Sequence, residues 1–272
     1  MDLRAPTILG RTGLTVSRLG LSSGYGVPAA AAVRAFREHE VNFFHWSTRG
    51  GGELVSALRQ LVPRQRDRLV IALHHYARPG WYLRWAVERR LRALNIDCAD
   101  LLLLGAHQRR PGEALLEAAR QLQSQGKVRF LGISGHRRAL FVELSKDLAN
   151  PFDVFMVRYN AAHRGAERDV FSALPQSERP GVVSYTATRW GALLKRRGLP
   201  SGETPLTATD CYRFVLTSPH VDVCLCGPRN DEQLDLALAA LERGPLSQPE
   251  LARAQRVGDY VYTSHRPRRR PR

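Results

Sequence analysis

The 272-residue sequence has little of what would mark a membrane, secreted or zinc-finger protein. No apolar run approaches the roughly 18 to 20 residues that cross a bilayer, and the first residues lack the charged and then apolar order of a signal peptide. The four cysteines form no CxxC pair and no zinc-finger spacing, so reduced thiols are expected. These absences predict a cytoplasmic protein that makes no membrane contact.

Lysine is also scarce, since only Lys127, Lys146 and Lys195 are lysine among the 41 basic residues. The formal net charge of +16 therefore comes mainly from arginine, a bias that a GC-rich genome would produce without selection for nucleic-acid binding. Residues 263–272 alternate arginine with proline and are too polar to fold. We predict a disordered tail there and no specific nucleic-acid partner.

Strand and helix patterns alternate along the chain. Eight apolar runs have the length of strands, at residues 18–21, 41–44, 69–73, 100–104, 128–133, 153–157, 181–185 and 221–226. An amphipathic stretch follows each run, at residues 28–39, 53–61, 81–94, 113–123, 139–148, 166–174, 208–216 and 232–241. The pattern therefore predicts eight strand-helix units.

Short connections between such units predict a parallel sheet, because parallel strands need a crossover element. An open doubly wound sheet is disfavoured, since residues 22–26 do not match the GxGxxG phosphate turn. We predict the α/β class, with a single (β/α)8 TIM barrel over residues 1–262. Its site is expected at the C-terminal ends of the strands.

Histidines stand where these strands end. His45 and His74 follow the second and third apolar runs, His107 comes shortly after the fourth, and Tyr76 lies beside His74. Barrel geometry would bring such residues to one mouth, where imidazoles and a phenol can act as acid or base. Three imidazoles also suit zinc or iron, although no carboxylate ligand accompanies them. The third alternative is that the histidines only fill the mouth.

Four segments in order carry a resemblance to a known family. They are LGRTGLTVSRLGL at residues 9–21, GKVRFLGIS at 126–134, Tyr159-Asn160, and GPRNDEQ at 227–233. The set resembles the aldo-keto reductases and covers roughly residues 7–243. The resemblance implies a barrel whose bottom is closed by an N-terminal β-hairpin.

The same resemblance implies a carbonyl reductase that uses an aspartate, a tyrosine, a lysine and a histidine in catalysis. Here His45 stands at the aspartate position, residues 46–50 offer no tyrosine, His74 replaces the lysine, and Gly105 replaces the histidine. The sequence therefore predicts that the usual tetrad is absent. The replacements His45, His74, Tyr76 and His107 become the candidate catalytic residues.

The positions that bind the cofactor are partly retained. Ser134 keeps one of three positions that hold the carboxamide, whereas Gly135 and Met156 replace the other two. Tyr185 stands where the family stacks a ring on the nicotinamide, and Arg229 where it places a cation beside the 2′-phosphate. The expected cofactor is NADP, and its predicted site consists of Ser134, Tyr185, Gly227, Arg229 and Gln233.

Three functions from different classes follow from this mixture. The first is an NAD(P)(H)-linked oxidoreductase that acts on a small carbonyl or alcohol substrate, with a proton donor rebuilt from Tyr76 or the histidines. The second is a non-catalytic barrel that binds a ligand or a partner. The third is a histidine-based metal or acid-base enzyme of another class. The sequence leaves the substrate and the oligomeric state open.

Overall fold

The computed structural model describes residues 2–48 and 51–264, which form one closed barrel. The strands in this part of the chain are β1 (Thr7–Ile8), β2 (Thr15–Val16), β3 (Leu19–Ser22), β4 (Phe43–Trp46), β5 (Val70–His75), β6 (Ala99–Leu104), β7 (Val128–Gly135), β8 (Val154–Arg158), β9 (Gly181–Tyr185) and β10 (Val223–Cys226). Strands β3 to β10 are parallel and pair in sequence order, with β10 closing on β3. The predicted (β/α)8 barrel is confirmed.

Helices surround the barrel. Within the described residues they are α1 (Ala29–His39), α2 (Gly52–Gln65), α3 (Gly80–Leu94), α4 (Glu113–Ser124), α5 (Arg138–Lys146), α6 (Gly165–Asp169), α7 (Ala208–Thr217), α8 (Asp231–Arg243) and α9 (Gln248–Ser264). The first eight follow the predicted amphipathic stretches, although the sixth is split into α6 and a 3-10 turn at Phe171–Ala173. No helix in this part of the chain is long and apolar enough to cross a membrane.

The last helix, α9, has no counterpart among the predicted helices. Gly258 lies within it, and an added Cβ there would be 2.1 Å from the carbonyl oxygen of Ala161. Glycine weakens helix propensity, but here it lets α9 lie directly on the loop after β8. The helix continues to Ser264, two residues past the predicted barrel domain, and the rest of the predicted tail lies outside the described residues.

The N-terminal hairpin closes the bottom of the barrel, as the resemblance implies. Strands β1 and β2 are antiparallel, and Leu9 between them is fully buried among the side chains of the barrel interior. Gly10 has a φ of 47°, and an added Cβ would lie 2.1 Å from the backbone nitrogen of Gly181. Glycine therefore allows the hairpin to lie against the start of β9.

Strand alternation decides which side chains reach the interior. Phe43 lies in the interior cluster, whereas Phe44 lies in the layer between barrel and helices. The residue two positions further along each strand points inward as well and lies at the C-terminal end of that strand. The residues that occupy this last inward layer are Ser22, His45, His74, Gly105, Ser134, Met156, Tyr185 and Gly227.

The opposite end of the barrel carries polar groups at the start of every second strand. There a side-chain oxygen accepts a hydrogen bond from a backbone N–H of the preceding chain segment. The acceptors are Asn42, Asp100, Asp153 and Asp222, at distances of 2.8, 2.9, 3.1 and 2.8 Å. These bonds fix the register of neighbouring strands where the hydrogen-bond ladder begins.

Arginines pair with the three aspartates of this bottom ring. Arg66 and Arg129 both contact Asp100, at 2.9 and 3.1 Å. The two remaining pairs, at 3.1 Å and 2.9 Å, are Arg11 with Asp153 and Arg179 with Asp222. Asp100 and Asp222 are buried, and their arginines offset the cost of burying a carboxylate.

Candidate active site

A cavity of about 970 Å³ opens at the C-terminal ends of the strands. It extends from His74 and Ser134 at one side to the loop after β10 and the first turn of α8. Its position is that of the active site in (β/α)8 enzymes, and its volume is at the upper end of the range for ligand pockets. The cavity can therefore hold a cofactor-sized ligand.

Four side chains on one side of the cavity form an unbranched hydrogen-bonded chain, which we call the histidine chain. Ser22 Oγ lies 2.9 Å from Nδ1 of His45, and Nε2 of His45 lies 2.9 Å from Nδ1 of His74. Nε2 of His74 then lies 3.0 Å from Oγ of Ser134. Strand alternation on β3, β4, β5 and β7 brings the four residues together.

Burial keeps both imidazoles of the histidine chain uncharged. His45 and His74 are each only 3% exposed. Burial, assisted by the charge of Arg90, lowers the pKa of His45 to about 3. The pKa of His74 is well below its usual value, because of burial first and then the nearby charges of His45 and Arg90. At neutral pH each ring therefore carries one proton, which one of its two nitrogens holds.

Arg90 on α3 holds the ends of two strands from outside the barrel. Its guanidinium donates to the carbonyl oxygens of Trp46 and His74, both at 3.1 Å, and lies 4.9 Å from the centre of the Trp46 ring. Burial lowers the pKa of Arg90 to about 10, so it remains charged at neutral pH. The charge of Arg90 thus favours uncharged imidazoles in the histidine chain, and its hydrogen bonds to that region go to backbone carbonyl groups.

The inner end of the histidine chain is fixed by the segment after β6. The N–H of Ala106 donates to Ser134 Oγ at 3.1 Å, and the N–H of His107 donates to the carbonyl oxygen of Ser134 at 2.9 Å. Ala106 has a φ of 55°, a conformation that is unfavourable for a residue with a Cβ. An added Cβ at Gly135 would lie 2.3 Å from the carbonyl oxygen of His107. The backbone of this segment thus fills the space that a side chain at position 135 would need.

Tyr76 and His74 fill the corresponding space beside Gly105. An added Cβ at position 105 would lie 2.6 Å from Cδ1 of Tyr76 and 2.7 Å from Nε2 of His74. The rings of Tyr76 and His74 are 4.6 Å apart between centres, and Tyr76 is 43% exposed. Gly105 is therefore required by the ring arrangement, and Tyr76 borders the cavity beside the histidine chain.

Two other histidines, His75 and the predicted site residue His107, lie apart from the histidine chain. His75 faces outward from β5, where its Nδ1 accepts a hydrogen bond from the N–H of Ala77 at 2.9 Å. His107 is buried, its Nε2 has no partner among the described residues, and it is not among the described residues that line the cavity. Burial first, and then the charge of Arg78, lowers the pKa of His107 to about 4.

The geometry gives no support to the metal alternative. Among residues 2–48 and 51–264, no group of three or more His, Cys, Asp or Glu side chains could hold a metal ion. The nitrogens of His45 and His74 that face each other are 2.9 Å apart and share a hydrogen bond. A metal ion would have to break the histidine chain in order to bind between them.

Tyr185 borders the cavity and is anchored through its hydroxyl. This group lies 3.0 Å from the carbonyl oxygen of Gly135 and 3.0 Å from Nδ1 of His136. Because the carbonyl can only accept, the phenol donates to Gly135 and His136 donates to the phenol. Burial raises the pKa of Tyr185 above its ordinary value. Its hydroxyl is thereby committed to holding the ring in place.

The other end of the cavity is built from the loop after β10. Gly227 packs against Tyr25, since an added Cβ would lie 2.6 Å from that ring. The guanidinium of Arg229 lies 5.6 Å from the centre of the same ring. Gln233 accepts from the backbone N–H of Arg229 at 3.0 Å, and Asn230 caps α8 by accepting from the N–H of Gln233 at 2.9 Å. Gln233 therefore shapes the loop.

The rim of the cavity is formed by the connection after β9. Thr186, Arg189 and Trp190 have φ angles of 62°, 52° and 52°, and the Trp190 side chain is 60% exposed. Positive φ angles at non-glycine residues are uncommon and often occur near functional sites. Sequence reasoning did not identify this strained rim, nor did it identify Ser22 or Arg90. Of these, only Ser22 could have been found from the sequence, because a residue two positions after the inward-facing Gly20 also points into the barrel.

The fold is that of the aldo-keto reductases. An aldo-keto reductase from Bacillus halodurans in its holo form superposes with a TM-score of 0.74 at 21% identity, covering 93% of this chain and 96% of that one. Its apo form gives 0.74 at 23% identity, with 93% and 95% covered. An aldo-keto reductase from Klebsiella pneumoniae in complex with NADPH gives 0.73 at 25% identity, with 94% and 95% covered.

These structures confirm, at the level of the fold, the resemblance seen in the sequence. No family model matches the chain, and no curated protein matches it either. The chain therefore keeps the architecture of these reductases while its sequence differs widely from theirs. Function has to be argued from the residues of its own cavity.

Proposed function

We propose that the protein is an NADP(H)-dependent oxidoreductase of the aldo-keto reductase type, which acts on a small carbonyl or alcohol substrate with a rebuilt active site. The observation that carries the proposal is one continuous cavity that joins the loop of Arg229, before α8, to the histidine chain. NADP has an adenosine 2′-phosphate at one end, its diphosphate in the middle and its reactive nicotinamide ring at the other end. We further propose a cytoplasmic location, since all four cysteines are free thiols.

The phosphate end of such a ligand fits the loop after β10. Arg229 forms no ion pair within the described residues, and it borders the cavity next to Tyr25 and Gly227. An arginine beside a helix N-terminus suits a phosphate through charge and through its several N–H donors. This arrangement supports NADP over NAD, because only NADP carries the additional phosphate on its adenosine ribose.

The nicotinamide end fits less completely. Ser134 Oγ already bonds to His74 and to the N–H of Ala106, while Gly135 and Met156 offer no polar side chain for a carboxamide. The Tyr185 ring is held in place by its hydroxyl and can border the nicotinamide. The residues present therefore support binding that depends mainly on the phosphates.

When bound, NADP(H) supplies or accepts the hydride. The chain itself must then supply the proton at the same end of the cavity. Tyr76 and Ser134 both carry a hydroxyl that borders the cavity beside His74. His45 and His74 act as neutral hydrogen-bonding groups because they do not hold a second proton at neutral pH. His107 has no part in the proposed machinery, since it does not line the cavity within the described residues.

A second candidate is a barrel that binds a nucleotide-like ligand without turnover. The tight contacts at Gly105 and Gly135 favour it, because they leave no room for the missing catalytic and carboxamide-binding side chains. This candidate shares the phosphate end of the site but requires no proton donor. It therefore predicts NADP binding without carbonyl reduction.

A fluorescence titration with NADPH and with NADH tests the proposed function. We expect Arg229→Ala to weaken NADPH binding about tenfold to a hundredfold, as for loss of a charge-assisted hydrogen bond, and to change NADH binding much less. Arg243→Ala, at the exposed C-terminal end of α8, is the control that should leave both affinities unchanged. Absence of NADPH binding at millimolar concentration would exclude the oxidoreductase.

A further inference from the structure

We propose that the histidine chain is a reversible proton relay that carries a proton from Ser22 to Ser134, where Ser134 protonates the reacting oxygen. The relay deepens the proposed function and rests on it for the identity of the reaction. Its four members contact one another at 2.9, 2.9 and 3.0 Å. Both terminal hydroxyls border the cavity.

The unbranched geometry couples the two imidazoles. One proton lies between His45 and His74, so each ring must offer a donor where the other offers an acceptor. If Nε2 of His45 carries the proton, Nδ1 of His74 accepts the hydrogen bond, and the ring proton of His74 is therefore on Nε2. If Nδ1 of His74 carries the proton instead, the proton of His45 is on Nδ1. The two rings must therefore share one tautomer.

The hydroxyl at each end can donate or accept, so both tautomers keep the chain complete. With both protons on Nε2, Ser22 donates to His45 and Ser134 accepts from His74, which leaves the Ser134 proton for the cavity. With both protons on Nδ1, Ser134 donates to His74 and the Ser22 proton is left for the cavity. Ser134 Oγ accepts from the N–H of Ala106 in either state. The two states thus differ mainly in which end presents a proton.

The transfer balances without a charged imidazole. Ser134 gives its proton to an oxygen that gains negative charge during reduction and takes the Nε2 proton of His74. Nδ1 of His74 takes the Nε2 proton of His45, Nδ1 of His45 takes the proton of Ser22, and Ser22 takes one from hydronium or a protonated buffer molecule, so that each reduction consumes one proton from solution. Oxidation of an alcohol reverses each transfer. The charge of Arg90 and the burial of both rings favour a concerted shift over stepwise protonation.

The relay has a purpose if the inner end is closed to water. Ser134 is buried, whereas Ser22 is half-buried and is the end of the histidine chain that water reaches more readily. The histidine chain runs along the inward ends of strands β3, β4, β5 and β7 and so joins two separate points of the cavity wall. A ligand that covers Ser134 and leaves Ser22 open would still be connected to solvent through this chain. A proton could therefore reach the reaction while bulk water is excluded.

Nitrogen NMR of the full chain with labelled histidine tests the relay without substrate. We expect the His45 and His74 nitrogens to show averaged signals from the two tautomers in exchange. Ser134→Ala should lock both rings with the proton on Nδ1, because a buried lone pair is tolerated better than a buried N–H without a partner. Ser22→Ala should lock both rings with the proton on Nε2.

The decisive feature is that each serine changes the ring that it does not touch. Ser184→Ala, another buried serine at a strand end, and His75→Gln should leave both signals unchanged. A single fixed tautomer in the unsubstituted protein, or a change confined to the adjacent ring, would overturn the relay. Coupled tautomers without NADPH binding would retain the relay and reject the oxidoreductase. NADPH binding with uncoupled tautomers would reject the relay and retain the oxidoreductase.

Discussion

The two ends of the barrel differ in the charge of their polar groups and in the partners that these groups bind. At the bottom, Asp100, Asp153 and Asp222 bind strand N–H groups and pair with arginines. At the mouth, the imidazole rings of His45 and His74 form hydrogen bonds only with each other and with serines among the described residues, and both rings are uncharged. The bottom ring fixes strand register through charge, whereas the mouth keeps groups that can both donate and accept.

Glycine has a different function at the two ends as well. At the bottom, Gly10 lets the hairpin lie against β9. At the mouth, Gly105 lies against the rings of Tyr76 and His74, and Gly135 lies against the backbone of His107. The mouth is thus closely packed at these two glycines.

The bottom ring should be the more sensitive end for stability. We expect Asp222→Ala to lower the free energy of unfolding by about 3 to 5 kcal/mol, because the buried N–H of Val182 and the charge of Arg179 lose their partner. Urea denaturation measures this change. The control is Asp235→Ala in an exposed pair with Arg34, which should cost less than about 1 kcal/mol. Equal losses in the two variants would remove the distinction between buried ring and surface pairs.

A smaller effect is expected from adding a methyl group at the mouth. Gly135→Ala should cost about 1 to 3 kcal/mol, since its Cβ would meet the backbone carbonyl of His107 at 2.3 Å. Gly105→Ala should cost less, because its neighbours Tyr76 and His74 are side chains that can shift. The matched control is Gly52→Ala, where nothing lies within 4 Å. A Gly135→Ala variant as stable as Gly52→Ala would show that the mouth is loosely packed.

The smallest effect concerns acid stability. The pKa of His45 is about 3 in the folded chain and near 6.5 when unfolded, so between these values only the unfolded chain binds the proton. This contribution to stability is therefore complete above pH 6.5 and falls as the pH decreases, approaching roughly 1.4 kcal/mol per pH unit for this residue between about pH 6 and about pH 3. In urea unfolding, the free energy of unfolding of His45→Gln should decrease less between about pH 6 and about pH 5 than that of the unsubstituted protein. An unchanged slope would mean that His45 accepts a proton in the fold.

The strands and most helices could be predicted because their signal is local. Runs such as Leu101–Leu104 are apolar on both faces, and the helix at Glu113–Ser124 repeats its apolar residues at helical spacing. The helix α9 escaped prediction because Gly258 weakens its pattern and only contact with Ala161 explains the glycine. The predicted site residues stay predictions, but the structure separates His107 from the cavity that His45, His74 and Tyr76 border.

The sequence by itself determined the barrel and the presence of histidines at strand ends, since these follow from periodicity and length, and its resemblance to the aldo-keto reductases implied the hairpin. Only the tertiary structure decided that His45 and His74 bond to each other and end on Ser22 and Ser134. These residues come from four strands, and the hydrogen bond between His74 and Ser134 joins residues that are 60 positions apart in the sequence. Such contacts depend on how the strands are staggered and closed, which no local pattern encodes.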